Sequence, residues 1–242
     1  MIKIDNLVLP NPEQWDLIIR GMRNPMNSWD KLDSGFVYVN SKNFDKLPDK
    51  NRYILSESDV ENGIDKYYFF GYNDYKLMKR LCSAGTDHRK FLRMITIYVD
   101  ITAPLYWWKE FDTYKVGTVA NSCSTMHKIS EKEFTLNDFS CEHIGNIPSC
   151  DTTYNETLKS IIIALNKARI CYIDTNVKDY WWQMIQLLPT SYNQKRTVLL
   201  NYEVLANIYK SRNNHKLDEW REFCKWIETL PLSELITENS KD

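Results

Sequence analysis

This 242-residue chain has no CxxC pair, no HExxH-type spacing, no P-loop and no GxGxxG. Each absence removes a class of chemistry. The six cysteines, Cys82, Cys123, Cys141, Cys150, Cys171 and Cys224, are scattered, which argues against a zinc motif and against a dense disulfide framework. Reduced, mostly buried thiols are expected. None of His88, His127, His143 and His215 has a ligand-type partner at metal-motif spacing, so no metal site is expected. Without a glycine-rich cradle, a phosphate must be met by isolated side chains and backbone donors. Lys115, Thr118, Asn121, Ser122, Ser124, Thr125, Arg196 and Arg212 sit at element ends where they can do so. For Ser, Thr and Asn at such junctions the competing role is capping.

An excess of one charge sign is also missing. The formal net charge is -1 with both signs interspersed, which gives no support for a general nucleic-acid or membrane-surface role. No apolar run approaches the roughly 20 residues of a membrane helix, and MIKIDNLVLPNPEQW lacks the pattern of a signal peptide. A soluble, cytoplasmic protein is expected, folded as one domain over 1–242. What the chain has in abundance is aromatic: 8 Trp and 15 Tyr, including the doublets Trp107-Trp108 and Trp181-Trp182. Such side chains enrich cores, subunit interfaces and stacking surfaces.

In order, Asn11, Pro12 and Glu13 supply a cap, an N1 proline and a first-turn acid, so PEQWDLIIRGMR should be a helix ended by Pro25. Residues 27–71 read as loops with short strands at 35–39 and 67–70. Asn73 is placed to cap a helix that Gly85 stops, and HRKFL reads as a short helical turn. In MITIYVDI, Ile95, Ile97, Val99 and Ile101 alternate against Thr96, Tyr98 and Asp100, a half-buried strand. Thr102 and Pro104 then open an aromatic helix, LYWWKEFDTYK, covered on several faces. Small polar residues from Gly117 to Thr125 interrupt it, and a loop with extra strand or turn material continues to about Asp151. The last third reads as helices: LKSIIIALNKARICYI, VKDYWWQMIQLL, NYEVLANIYKSR and HKLDEWREFCKWIETL.

The stretch from His88 to His127 changes character fastest, and it is the candidate site. Cys123 and His127 stand at helical spacing as a thiol and a base, without a known nucleophile signature around them. Ala103-Pro104-Leu105-Tyr106-Trp107-Trp108-Lys109-Glu110-Phe111-Asp112-Thr113-Tyr114-Lys115, followed by Val116 to Thr125, resembles the phrase AP-(I/L)-F-x-x-RQW-x-RHR-x-x-S-x-NE-x-S-x-R of the flavin-dependent thymidylate synthases (ThyX). LMKRLCSAGTDHRKF resembles that family's helix, glycine and histidine-bearing turn. LLPTSYNQKRTVLLNYEVLANIYKSR resembles its Leu-Pro region and later helix. The likeness runs from about Tyr72 to the last helix.

The resemblance implies an α+β fold, a central antiparallel or mixed sheet with a long helical C-terminal half, assembled as a homotetramer. It implies FAD as hydride source, a folate as one-carbon donor and a pyrimidine nucleotide as substrate, methylated or hydroxymethylated at C5. The family's Arg-His-Arg falls on Thr113, Tyr114 and Lys115; its serines fall on Thr118 and Cys123, its Asn-Glu on Ala120 and Asn121, and its closing arginine on Thr125. The arginine before its Leu-Pro falls on Ile185. Arg212 falls on the pyrimidine-contacting arginine, Asn201 on a recurring helix-start residue and Glu110 on the substrate-side glutamine. The implied roles are catalytic for Arg212 and Cys123. Glu110, Thr118, Asn121, Ser122, Ser124, Thr125 and Arg212 would bind substrate, and His88, Thr113, Tyr114, Lys115 and Asn201 would bind cofactor. A carboxylate at 110 offers acceptors only, which suits an amino-bearing ring such as cytosine as well as uracil. Each lost arginine removes a charge-assisted phosphate contact. That motivates a second reading, a non-catalytic nucleotide- or partner-binding protein on the same scaffold. A third reads the 122–125 run as a capping turn and Trp107-Trp108 as core.

Overall fold

Asn11 opens the first helix as its residues dictate: its side chain accepts from Gln14 N, and the Gln14 side chain accepts from Asn11 N. In the computed structural model, which describes residues 2–145, 148–149 and 152–238, strand β1 (Lys3–Val8) precedes this helix α1 (Pro12–Arg23). There follow β2 (Gly35–Asn40), α2 (Ser41–Phe44), β3 (Tyr53–Asp59), β4 (Ile64–Phe69), α3 (Tyr72–Ser83), β5 (Thr96–Pro104), α4 (Leu105–Phe111) and β6 (Val119–Ser122). The short β7 (Pro148–Ser149) and β8 (Thr152–Thr153) lead to α5 (Tyr154–Thr175), α6 (Lys178–Leu187), β9 (Asn193–Asn201), α7 (Tyr202–Arg212), α8 (Asp218–Glu228) and α9 (Glu234–Thr237). Among the described residues two sheets of more than two strands form, in the orders β1-β5-β9-β6 and β2-β4-β3. The expected α+β class is what is found. Cys150 and Asp151 lie outside the described residues.

Two compact units divide the chain. The first comprises Met1–Asn6, Val99–Lys115 and Ala120–Val198. Its core clusters Phe134, Phe139, Leu158, Leu165 and Met184 under α5 and α6. Trp107, Trp108 and Phe111 of α4 are buried, so the doublet is core. Pro104 has no side-chain acceptor to cap α4. The first two donors, Leu105 N and Tyr106 N, are instead taken by Tyr192 O and Thr190 O. The helix expected over 105–115 ends at Phe111, and one 3₁₀ turn over Asp112–Tyr114 follows.

The second unit comprises Leu7–Tyr98, Val116–Val119 and Leu199–Asp242. β4 pairs antiparallel with both β2 and β3. Trp15 of α1 packs edge-on to Phe70 with centroids 5.0 Å apart, and Trp220, Phe223 and Ile227 of α8 are buried. Asn73 does not cap α3. The helix begins one residue earlier, and the Asp33 carboxylate takes the N–H groups of Asn73 and Asp74 at 2.8 and 3.0 Å. Asp74 returns the arrangement, accepting from Asp33 N and Ser34 N at 3.0 and 2.8 Å and from Arg23 Nε at 2.5 Å. Against its burial, the Ser34 hydroxyl first, then the backbone N–H donors and the Arg23 guanidinium, hold the Asp74 carboxyl below the usual carboxylate range.

Strands β1, β3, β6 and β9 lie beyond the sequence expectations. β9 is the consequential one, because it neighbours both β5 and β6.

Candidate functional site

β9 fixes the small polar stretch. Cys123 N donates to Lys195 O at 2.9 Å, and Gln194 Nε2 donates to Cys123 O at 2.9 Å. The main chain of Cys123 is thus pinned on both sides while its thiol is exposed. Ser124 Oγ accepts from His127 N at 2.9 Å, a capping role. That bond also shows how Cys123 and His127 are placed: the backbone turns there, and the exposed His127 ring has no recorded bond to the thiol. Asn121 and Ser122 are exposed at the end of β6.

Cys123, Ser124 and Thr125 line one side of a cavity of about 280 Å³ in the first unit, with Lys128, Lys132 and Lys195 around it. Glu131, Glu133 and Asp138 line it too, so three cations meet three carboxylates and the formal sum is zero. Lys128 pairs with Glu131. Lys195 Nζ lies 2.8 Å from Asp100 Oδ2, a hydrogen bond that raises the lysine and lowers the aspartate, which Thr197 and Asn6 also hold ionised. Burial and the nearby Asp138 charge push the Tyr192 hydroxyl up, so it enters the cavity as a neutral donor. This is a polar site of mixed field. Its lining offers neutral donors and no net charge.

The other expected residues of this unit are spent or outward. Thr113 Oγ1 donates to Glu110 O at 2.7 Å; Glu110 and Tyr114 are half-buried, and Lys115 is exposed. Arg196 is held against α4, with Nη1 on Asp112 Oδ1 at 2.8 Å and Nε on Gln194 Oε1 at 3.0 Å. At 113–115 the single cation for flavin phosphates is the exposed Lys115, beside a Thr113 hydroxyl already donated to the backbone and the hydroxyl of the half-buried Tyr114. These residues do not fit that task.

In the second unit, Asn201 caps α7, accepting from Val204 N at 3.1 Å and donating to Gly117 O at 3.4 Å. Arg212 lies over Trp220, 4.9 Å from its centroid, with Nη1 3.0 Å from His215 Nε2. His88 is exposed beyond the α3 terminus, and Thr118 is half-buried. The structure thus brings 123–125 together at one cavity, places Glu110 and Thr113–Lys115 on and after α4, and carries His88, Thr118, Asn201 and Arg212 in the other unit. Gln194, Asp100 and Tyr192 escaped the sequence reading. Asp100 had a signal, as the polar member of an alternating strand, while Gln194 and Tyr192 depended on recognising β9.

No family model and no curated protein matches the sequence. Among solved structures, thymidylate synthase X from Helicobacter pylori with FAD and dUMP matches at a TM-score of 0.59 and 14% identity, covering 100% of this chain and 99% of that one. A second Helicobacter pylori structure of flavin-dependent ThyX, complexed with FAD and dUMP, gives 0.56 and 15%, over 100% and 98%. PolB from Streptomyces cacaoi, a UMP/dUMP methylase bound with 5-Br dUMP, gives 0.52 and 10%, over 99% and 93%. Likeness at these identities speaks to architecture, and over its whole length this chain has the fold of the flavin-dependent thymidylate synthases.

Proposed function

We propose that this chain binds a pyrimidine deoxynucleotide on a ThyX-like scaffold. The observation that carries the reading is the full-length match to proteins solved with dUMP or 5-Br dUMP. The cavity lined by Cys123, Ser124 and Thr125, the stretch that the motif resemblance marks for substrate, supports it. Its hydroxyls and the neutral Tyr192 supply donors for a ring or sugar, and Lys132, which makes no ion pair among the described residues, supplies a cation for one phosphate. Within the first unit, Glu110 is proposed to read the base, with Asn121 and Ser122 as further substrate contacts; in the second unit, Thr118 and Arg212 are proposed for substrate and His88 and Asn201 for cofactor, while Thr113, Tyr114 and Lys115 are the weak part of the cofactor assignment. The exposed apolar side chains Ile163, Ile170 and Ile173 of α5 support a homotetramer that covers them.

C5 methylation or hydroxymethylation belongs to this proposal as its enzymatic form, with FAD and a folate as co-reactants. FAD supplies hydride when bound. The residues at 113–115 offer it poor phosphate contacts. That same misfit favours the second reading, nucleotide or partner binding without turnover.

Calorimetric titration of the purified chain with dUMP, dCMP and deoxyuridine tests the binding. Saturable dUMP binding that weakens on Lys132→Gln or Thr125→Val is expected, and no heat with any nucleotide sinks the proposal. The absorption spectrum separates the two forms: a flavin band with or without added FAD supports the enzyme, and a colourless protein that still binds dUMP supports the non-catalytic one.

A further inference from the structure

A second cavity, of about 690 Å³, lies in the second unit between the C-terminal end of α1 and the outer side of α3. Its charge is one-sided. Arg23, Lys31, Lys76 and Arg80 line it together with Met26 and Leu77, and no carboxylate lines it. The two acids beneath are already committed: Asp33 to the N–H groups of Asn73 and Asp74, and Asp74 to those of Asp33 and Ser34 and to Arg23.

Arg23 is the built part of the site. Its side chain is 4% exposed. Nε is held by Asp74, Nη1 donates to Ser28 O and Ser28 Oγ at 3.2 Å each, and Nη2 makes no hydrogen bond among the described residues. A guanidinium clamped on one edge and undonated on the other is pre-organised for an oxyanion. Lys31, Lys76 and Arg80 form no ion pair among the described residues. The polar contact recorded for Arg80 is to the Met26 sulfur, at 3.8 Å. Once Asp74 is counted against Arg23, three positive charges face one cavity. Their mutual repulsion is relieved by a multiply charged anion.

The size and the walls narrow the class. The cavity is within the range of roughly 300 to 1,000 Å³ typical of small-molecule sites, much larger than a lone phosphate needs. Met26 and Leu77 give it an apolar side that an inorganic anion would leave unused.

We propose that this cavity binds a nucleoside polyphosphate, with the phosphate chain on Arg23, Lys31, Lys76 and Arg80 and the base against Met26 and Leu77. The site is separate in residues from the cavity at Cys123–Thr125, whose lining sums to zero charge and suits a monophosphate. Binding here does not require the pyrimidine nucleotide reading to hold.

The test is calorimetric titration of the full chain with ATP, inorganic pyrophosphate and adenosine at about 50 and 200 mM salt, where screening differs. One saturable ATP site per chain is expected, weaker at the higher salt, with pyrophosphate roughly tenfold weaker and adenosine silent. The double variant Lys76→Gln/Arg80→Gln, both exposed on α3, should weaken ATP by at least about tenfold while its thermal midpoint and its dUMP titration match the parent. Lys31→Gln, on a different element, should weaken ATP as well, and guards against a folding defect confined to α3. Absence of saturable ATP binding, or ATP affinity unchanged in the double variant and in Lys31→Gln, overturns the proposal. Pyrophosphate binding as tightly as ATP overturns the nucleotide assignment.

Discussion

The guanidinium carbon of Arg196 lies 4.2 Å from the ring centroid of Trp108, while the Trp108 indole donates at 2.8 Å to Gln194 O, two residues earlier on the same strand. One short run of β9 therefore clamps the ring by face and by edge. Gln194 continues the chain of contacts to Cys123 O, so the core helix α4 and the polar stretch are set by the same strand. Arg196→Ala should destabilise the protein by about 2 kcal/mol, summing a cation–π contact with charge-assisted hydrogen bonds, one of them to a half-exposed partner. Arg196→Lys should recover less than half, because it keeps the charge and loses the planar stack. Urea denaturation reads both, and a change under about 0.5 kcal/mol for the alanine variant would contradict the account.

Asn201 and Gly117 form a second tight pair. Asn201→Ala should cost about 1 kcal/mol as a lost cap, and Asn201→Ser should restore most of it. Gly117 has φ +86°, and a Cβ there would sit 3.0 Å from Asn201 Nδ2 and 3.1 Å from Val204 Cγ2. Gly117→Ala should therefore cost about 1 to 2 kcal/mol in backbone conformation, plus a steric part. Part of that strain disappears when Asn201 is already alanine, so thermal melts of a double-mutant cycle should show a smaller second penalty.

The thiols should separate by reactivity. Cys82 and Cys224 are buried, and burial with the Glu228 charge pushes the Cys224 thiol up to about 12. Cys123 is exposed. Limited iodoacetamide labelling followed by peptide mass analysis should modify Cys123 first and leave Cys82 and Cys224 untouched until denaturant is added. Early labelling of Cys224 would contradict the burial.

Asp100 sets an acid dependence. Hydrogen bonds from Lys195, Thr197 and Asn6 lower its pKa on folding. A carboxyl depressed in the folded state contributes stability above its unfolded pKa of about 3.9, and loses it as pH falls toward the folded value. The Lys195 side of the pair is raised, so its contribution persists to alkaline pH and is lost only above the ordinary lysine range. The urea midpoint of Asp100→Asn should thus lie below the parent at pH 7 and converge on it in strong acid. A gap that is constant with pH would remove the charge from the explanation.

Elements whose signal is local were legible. α1 carries its cap, its proline and its acid within three residues. β5 shows four buried aliphatic positions in strict alternation. β9 was hidden because its charged half, Lys195 to Thr197, precedes a run that reads as the start of α7. The strand exists because β5 and β6 pair with it. The cap of α3 was misread for a related reason: Asn73 stood at the right place, but a carboxylate 40 residues away in sequence supplies a charged acceptor to the same donors. At the site, the grouping of 123–125 followed from adjacency. The commitments of Asn201 and Arg212 to a cap and to Trp220 depended on tertiary neighbours that spacing does not reveal.

Asp33 and Asp74 each accept two backbone N–H groups from the other's segment, and Gly71 N donates to Ser34 Oγ at 2.9 Å. A Cβ at Gly71 would fall 2.3 Å from the Asp33 backbone, so this closure leaves no room to loosen. The chain between them, including the sheet β2-β4-β3, leaves and returns through one locked gate. Its far tip, the turn at 60–63 where Val60 is 88% exposed, is remote in sequence from that gate. An epitope or fluorescent peptide spliced there would travel with the protein while leaving α1 and α3 in place.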